Sequence, residues 1–225
     1  MLDTDSLAAT LDAVKDALFF GRKISAGDRR ALSKWLVERC GQPGSYEFMP
    51  APTPQDFAGA PRVFTGEVMT SKAGMACKLG SEGCRALLVL GVETEAVSQA
   101  LATVREHLGA RLADCASDRA GYYCCGSCSV AFWRHLMAGG MDNQQQRLAR
   151  GVELLRSLRD EKGGWRSFPT WYTIWALTDM DSAAARAELE YVAPKLERQA
   201  DRRSSETDKY ATRRTEIARR ALARV

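Results

Sequence analysis

The chain has 225 residues, of which 45% are apolar and 27% charged, and its formal net charge at pH 7 is +4. This composition is that of an ordinary globular protein and excludes a low-complexity or highly charged disordered chain. Helix-forming Ala, Leu, Arg and Glu are abundant and runs of β-branched residues are nearly absent, so we predict an all-α fold.

The N-terminal stretch "MLDTDSLAATLDAVKDALFF" has no basic region ahead of an apolar core and no small-residue cleavage site. No uncharged stretch of the sequence approaches the ~20 residues that cross a bilayer. We therefore expect a cytoplasmic protein with no membrane span. In that reducing compartment, seven cysteines predict free thiols or a metal site instead of a disulfide framework.

Apolar residues recur at helical spacing along the chain and predict about ten helices, joined mostly by short turns that make neighbours antiparallel. The first helix is expected to open at the caps Thr4 and Asp5, and the second at a capping box that begins with Ser25. Gly80 is expected to end the helix that Thr65 opens. Later starts are predicted at Ser81, Thr94, Asp142, Pro169, Asp181 or Ser182, and Ser204 or Ser205. Because Pro194 sits inside one of these patterns, a kink or break is predicted near Ala193.

One connection, at about residues 41–64, holds five of the seven prolines and several aromatic side chains. A flexible domain linker would be polar, so this apolar stretch predicts a long ordered loop that lies over the helices. Ordered loops of this length are often functional. A plain packing role is equally open.

The segment at about residues 204–225 is predicted to be a basic C-terminal helix. Between Arg198 and Val225 there are nine Lys or Arg and four Asp or Glu residues, so this stretch carries more than the whole net charge. Tyr210, Ile217 and Leu222 recur at helical spacing between the arginines, which favours the solvated face of a helix. Because nucleic-acid modules usually carry a stronger basic stripe, a nucleic-acid partner is disfavoured, while a protein partner remains open.

Two stretches of the sequence resemble each other at a constant offset of 42 residues: "AGYYCCGSCSVAFW" and "GGWRSFPTWYTIW". The offset aligns Tyr123 with Trp165 and Trp133 with Trp175. Each stretch follows an amphipathic helix and leads into a more apolar one. A helix that is apolar nearly all round must be buried, so the repeat predicts an inner and an outer layer of helices.

The stretch "GVELLRSLRDEKGGWRSFPTWYTIWAL" resembles a repeat of the α/α toroid proteins, the superfamily of the terpene cyclases and protein prenyltransferase β-subunits. The resemblance covers about residues 121–180 and implies antiparallel helix pairs in a toroid-like or solenoid-like arc, within a single domain of residues 1–225. It also implies a central cavity that holds an isoprenoid chain. Ser127, Ser129 and Tyr172 occupy the positions of the prenyltransferase zinc ligands, and the acidic element of the cyclases is absent.

Under this resemblance, aromatic and polar residues of the two apolar helices become candidates for binding a hydrophobic, isoprenoid-like small molecule. The candidates are Trp133, Arg134, His135, Trp165, Trp171, Tyr172 and Trp175. Aromatic residues at helical spacing also suit a plain core. Whether the chain is an enzyme, a binding protein or a non-catalytic interaction scaffold therefore stays open.

The cluster of Cys124, Cys125 and Cys128 is the other chemical candidate. A papain-type nucleophile needs a nearby imidazole, and His135 stands ~10 Å along the same helix from Cys128. Cys125-x-x-Cys128 has the spacing of half a zinc site, which Cys77, Cys84, Cys115 or His135 would complete only through folding. A redox pair and a set of small buried side chains are the remaining alternatives.

Overall fold

The computed structural model describes residues 1–113, 121–202 and 208–225, and in these ranges the protein contains α-helices and no β-strand. The helices are α1 (Leu7–Phe19), α2 (Ala26–Arg39), α3 (Pro54–Ala58), α4 (Lys72–Leu90), α5 (Glu95–Ala113), α6 (Gly126–Met137), α7 (Gln144–Ser157), α8 (Thr170–Asp179), α9 (Ala183–Tyr191), α10 (Ala193–Ala200) and α11 (Lys209–Leu222). The predicted all-α fold of about ten helices is confirmed, and none of the described helices combines the length and the hydropathy that a bilayer crossing needs.

Several helix starts agree with their sequence signals. Ser25 Oγ accepts a hydrogen bond from Asp28 N at 3.0 Å, and Pro194 lies in the first turn of α10, directly after the predicted break. The cap of α1 is Ser6 instead of Thr4 or Asp5, because Ser6 Oγ accepts from Ala9 N. The predicted start at Ser204 or Ser205 lies outside the described residues.

The expected helix end at Gly80 is wrong, because α4 runs without a break from Lys72 to Leu90. A long-range contact explains why glycine stands inside this helix. A Cβ on Gly80 would come within 2.8 Å of Met49 Cβ, and one on Gly83 within 3.0 Å of Pro50. The glycines of α4 therefore let the proline-rich segment, at about residues 41–64, lie directly on the helix.

The proline-rich segment itself is tied to the start of α1. Thr53 and Asp56 form a reciprocal capping box at α3, and the same Asp56 carboxylate accepts from Ser6 Oγ at 2.6 Å and from Leu7 N at 2.9 Å. Asp56 is buried, so its carboxylate is stabilised by these donors instead of by water. One buried side chain thus fixes two helix N-termini.

The packing is centred on α6, which contacts both α4 and α8, while α1 packs on α4 and α11 on α8. Nearly every side chain of α6 and α8 is buried. The helices α2, α5, α7 and α9 pack outside them and keep one face in water.

The N-terminal and C-terminal helices are joined by a buried cation. The guanidinium of Arg213 in α11 donates to Asp12 at 2.7 Å and to Asp16 at 2.8 Å, both in α1. It also donates to the carbonyl of Phe64 at 3.2 Å and lies 4.0 Å from the centroid of the Phe64 ring.

Candidate thiolate metal centre

The three clustered cysteines lie at the start of α6. Cys125 is the N-cap residue, Cys128 follows in the first turn, and Cys124 precedes the cap with a left-handed backbone, at a φ of 58°. Ser129 holds this turn in place, because its hydroxyl accepts from Tyr123 N at 2.8 Å and donates to carbonyl oxygens of the same turn.

The geometry brings the three thiols together. The Sγ atoms of Cys124, Cys125 and Cys128 all lie within 4.8 Å of one another. Cys124 is exposed, Cys125 is half-buried and Cys128 is buried, so the cluster reaches from the surface into the core. Cys128 Sγ also lies 3.9 Å from the carbonyl oxygen of Gly74 in α4, three residues before the buried Cys77, which raises the pKa of the Cys128 thiol.

Cys125 is the member of the cluster that is best stabilised as a thiolate. Its Sγ lies 3.5 Å from Cys128 N and 3.5 Å from Ser127 Oγ, and Lys78 Nζ lies 3.4 Å from the same hydroxyl. The neighbouring Cys128 thiol, more than the backbone and Lys78, lowers the pKa of Cys125 to about 4. The proximity of Cys125, together with Cys77 and burial, raises the pKa of Cys128.

Solvent reaches Cys125 through a cleft of about 260 Å³ that Lys78, Ser127 and Pro169 also line. Beside this cleft, Gly126 lies so close to the carbonyl of Ser167 that no side chain fits between them. The glycine after Cys125 therefore lets the turn before α8 approach the start of α6.

Such a group of sulfur atoms suits a tetrahedral metal ion. With Zn–S bonds of about 2.3 Å, neighbouring sulfur ligands stand about 3.8 Å apart, which small rotations of the cysteine side chains would reach. A metal-free pair of thiols at the same place could instead form a disulfide between Cys125 and Cys128. These are the two chemistries that the arrangement supports.

The other candidates for the fourth zinc ligand either lie away from the cysteine cluster or fall outside the described ranges. Cys84 lies two turns further along α4 than Cys77, so the two share one helix. Cys115 lies outside the described residues. His135 is buried near the far end of α6, where burial lowers its pKa to about 4 and its Nδ1 has no hydrogen-bond partner among the described residues.

Three of the predicted ligand-binding residues meet around a buried carboxylate. Arg134 Nε donates to Glu82 Oε1 at 3.2 Å, and the hydroxyl of Tyr172 donates to the same oxygen. The Arg134 guanidinium also stacks on Trp175, with 3.3 Å between its central carbon and the ring centroid. Burial opposes the charge of Glu82, but Lys15, Arg134 and Arg85 outweigh it and lower the pKa of Glu82 to about 2.

The remaining predicted aromatic residues do not join this group. Trp133 stacks on Phe168 with 5.5 Å between ring centroids, and Trp165 Nε1 donates to Glu188 at 2.8 Å. Trp171 is half-buried beside a separate, mainly polar groove.

Lys15 and Lys78 were not among the predicted site residues. The fold places Lys15 beside the Glu82 group and Lys78 beside the cysteine cluster. A signal for Lys15 was present, because it stands four residues after Leu11 on the apolar face of α1. Nothing near Lys78 in the sequence pointed to cysteines about fifty residues away.

Comparison of the chain with protein-family models, with curated proteins and with solved structures found no match.

Proposed function

We propose that this protein binds one zinc ion through the thiolates of Cys124, Cys125 and Cys128, with Cys77 as the fourth ligand. The observation that carries the proposal is the convergence of three Sγ atoms within 4.8 Å. Thiolates are soft ligands, and a tetrahedral all-sulfur set is typical of structural zinc.

Packing of small side chains does not account for all three cysteines. Cys124 is exposed, so it fills no space in the core. Its left-handed backbone costs a non-glycine residue about 1 kcal/mol or more. A metal ligand explains both features, because the left-handed turn is what sets Cys124 Sγ beside the other two sulfur atoms.

The surroundings also suit a negatively charged metal–thiolate group. Zinc with four thiolates carries two negative charges, and the buried ammonium of Lys78 lies beside Ser127 and lowers the pKa of Cys125. The backbone N–H of Cys128, which faces Cys125 Sγ, stabilises that thiolate further.

A zinc ion at this place would join α4 to the turn before α6. Because all four positions of the ion would be filled by protein thiolates, its role would be structural, and the free energy of zinc binding would add to the free energy of folding.

The test is the metal content of protein purified under reducing conditions without a chelator, measured by inductively coupled plasma mass spectrometry. We expect about one zinc ion per chain, lost in Cys125→Ser and in Cys128→Ser. Cys40→Ser is the matched control, since Cys40 is a free thiol at the end of α2 outside the cluster. Cobalt substitution adds a second measurement, because visible bands of tetrahedral cobalt thiolate should weaken in Cys77→Ser.

The proposal fails if the wild-type protein holds no zinc after purification and takes up none from a zinc buffer. It also fails if Cys40→Ser loses as much zinc as Cys125→Ser does.

A second function, thiol–disulfide exchange, is favoured by the half-buried Cys125 thiolate at the helix N-terminus. Cys125 would attack one sulfur of a substrate disulfide and release the first substrate thiol. Cys128 would then lose its proton and attack Cys125, which releases the second thiol. The substrate would gain two electrons and two protons, and the two cysteines would become a disulfide.

Incubation of metal-free protein with glutathione disulfide separates the two functions. Exchange predicts an intramolecular Cys125–Cys128 disulfide and two molecules of glutathione, detected by mass spectrometry. Zinc-loaded protein that resists the same treatment would support the metal function instead.

A further inference from the structure

A small cavity of about 140 Å³ lies between α1, α4, α6, α8 and α11, towards the opposite end of α6 from the cysteines. Its lining is unusual for the inside of a helical protein, because charged side chains dominate it. They are Lys15, Arg85, Arg134, Asp179 and Arg220, with the ring of Trp175 beside them.

Arginines engage one oxygen of each carboxylate around the cavity, while the other oxygen of Glu82, Oε2, has no hydrogen-bond partner among the described residues. Glu82 and Asp179 both accept from Arg134, and Asp179 Oδ2 lies 4.0 Å from Arg85 Nη2. On the outer side, Arg220 donates to Glu216 at 2.9 Å. These four cations, counting Lys15, therefore face three carboxylates, which leaves one positive charge uncompensated.

The uncompensated charge is that of Lys15. Only 7% of this residue is exposed, and its Nζ makes no hydrogen bond or ion pair with any described residue. Glu82 and Asp12 act on it from a longer range, yet burial still lowers the pKa of Lys15. A largely buried ammonium that lacks a protein partner depends on whatever occupies the cavity for its hydrogen bonds.

Neighbouring groups do not supply the missing negative charge. Asp12 and Asp16 on α1 are bound by Arg213, with Lys209 also on Asp12 and Arg22 also on Asp16, so that cluster has no negative charge to spare. The buried His135 is neutral at pH 7, because burial lowers its pKa to about 4. A further donor is unused at the cavity as well, because the buried Arg85 Nε has no partner among the described residues.

We propose that this cavity binds a phosphate group, with Lys15 Nζ and the Arg85 guanidinium as its main donors and Arg220 at the open side. Phosphate oxygens accept several hydrogen bonds at once, and both guanidinium and ammonium groups are common donors to them. The cavity has room for an inorganic phosphate or for the end of a small monoester. Arg220 and Asp179 are partly exposed, which gives such a ligand a path from solvent.

This inference is independent of the zinc proposal, because the cavity shares no residue with the cysteine cluster. Either can fail without the other. The phosphate site would also explain the buried Lys15, which neither zinc binding nor thiol exchange uses.

The test is isothermal titration calorimetry of the full chain with inorganic phosphate, with sodium chloride of equal ionic strength as the reference. Thermal unfolding with and without phosphate is the second readout. We expect phosphate to bind and to raise Tm in the wild type, and Lys15→Met to weaken binding by about tenfold or more. Phenyl phosphate in place of inorganic phosphate tells a monoester site from a site for the free ion.

Two further variants keep the experiment decisive. Lys15→Met should fold, because it replaces an unpaired buried charge by an apolar side chain of similar length. If it nevertheless fails to fold, Arg220→Met at the exposed mouth should weaken phosphate binding. Lys34→Met, on the exposed face of α2, is the control that should bind as the wild type does.

The proposal is overturned if the wild type shows no phosphate heat and no rise in Tm beyond that of sodium chloride. It is equally overturned if phosphate stabilises Lys15→Met or, where that variant does not fold, Arg220→Met as strongly as it stabilises the wild type and Lys34→Met.

Discussion

Among single residues, Glu82 holds together a group of buried charges in the described core. It is a fully buried carboxylate that accepts from Arg134 and Tyr172 and lies in the field of Lys15 and Arg85. Without it, several positive charges would face one another in a low-dielectric interior.

We therefore expect Glu82→Gln to lower the free energy of unfolding by about 3 kcal/mol, since one partner of a buried ion pair is removed. Urea unfolding at pH 7 measures this. The matched control is Glu38→Gln, whose exposed carboxylate lies 3.9 Å from Lys34 and which should change stability by less than about 0.5 kcal/mol. Equal effects of the two variants would contradict the role assigned to Glu82.

The pH dependence follows from the same group. The pKa of Glu82 is about 2 in the folded protein and 4.5 for an ordinary glutamate, so the folded state favours the charged form. Its stabilisation is complete above pH 4.5 and is lost as the pH falls towards 2. Glu82→Gln should lack this component, which a comparison of unfolding free energies between pH 5 and pH 2.5 would measure.

At the level of helices, α4 shows why a glycine can stand where helix propensity opposes it. Gly80 is less favourable in a helix than alanine by about 1 kcal/mol, yet a Cβ there would collide with Met49. The glycine is kept by the contact between α4 and the proline-rich segment.

A pair of glycine-to-alanine substitutions tests this explanation. Gly80→Ala should lower the free energy of unfolding by about 1–3 kcal/mol, because Met49 has to move. Gly109→Ala should raise it by about 0.5–1 kcal/mol, because Gly109 lies inside α5 and the added Cβ would meet no atom within 4 Å beyond the neighbouring backbone of its own helix. Chemical unfolding of both variants gives the two signs, and stabilisation by Gly80→Ala would refute the contact argument.

Contacts between distant segments also explain which features of the structure could not be predicted from the sequence. Starts such as Ser25 and the break before Pro194 could be predicted, because a cap or a proline acts within a few residues of itself. The role of Gly80 could not, since it depends on a segment thirty residues earlier in the chain. Likewise, the spacing of Cys125 and Cys128 indicated half a metal site, but nothing within a few residues of Cys77 distinguished it from the other candidates for the fourth ligand.

On the scale of the whole molecule, Arg213 links the first and last described helices. Its side chain is almost fully buried and binds two aspartates that are about 200 residues away in sequence. Because α11 also packs on α8, the ion pairs of Arg213 connect α1 to this part of the core. Loss of these ion pairs should loosen the contact between α1 and α11.

We expect Arg213→Met to lower the free energy of unfolding by about 3 kcal/mol, because it leaves Asp12 and Asp16 without their main partner. Arg219→Met in the same helix is the control and should stay within about 0.5 kcal/mol of the wild type, since Arg219 is exposed. Hydrogen exchange of α1 amides gives a local readout. If Arg213→Met leaves α1 protection unchanged, the link is not what holds this helix.

The link through Arg213 also has a consequence for the order of events during synthesis. Asp12 and Asp16 are translated about 200 residues before their partner Arg213. Until then, α1 can rest on α4 while its acidic face stays hydrated. The final consolidation of the fold must therefore wait until α11 has emerged, however early the other helices have assembled.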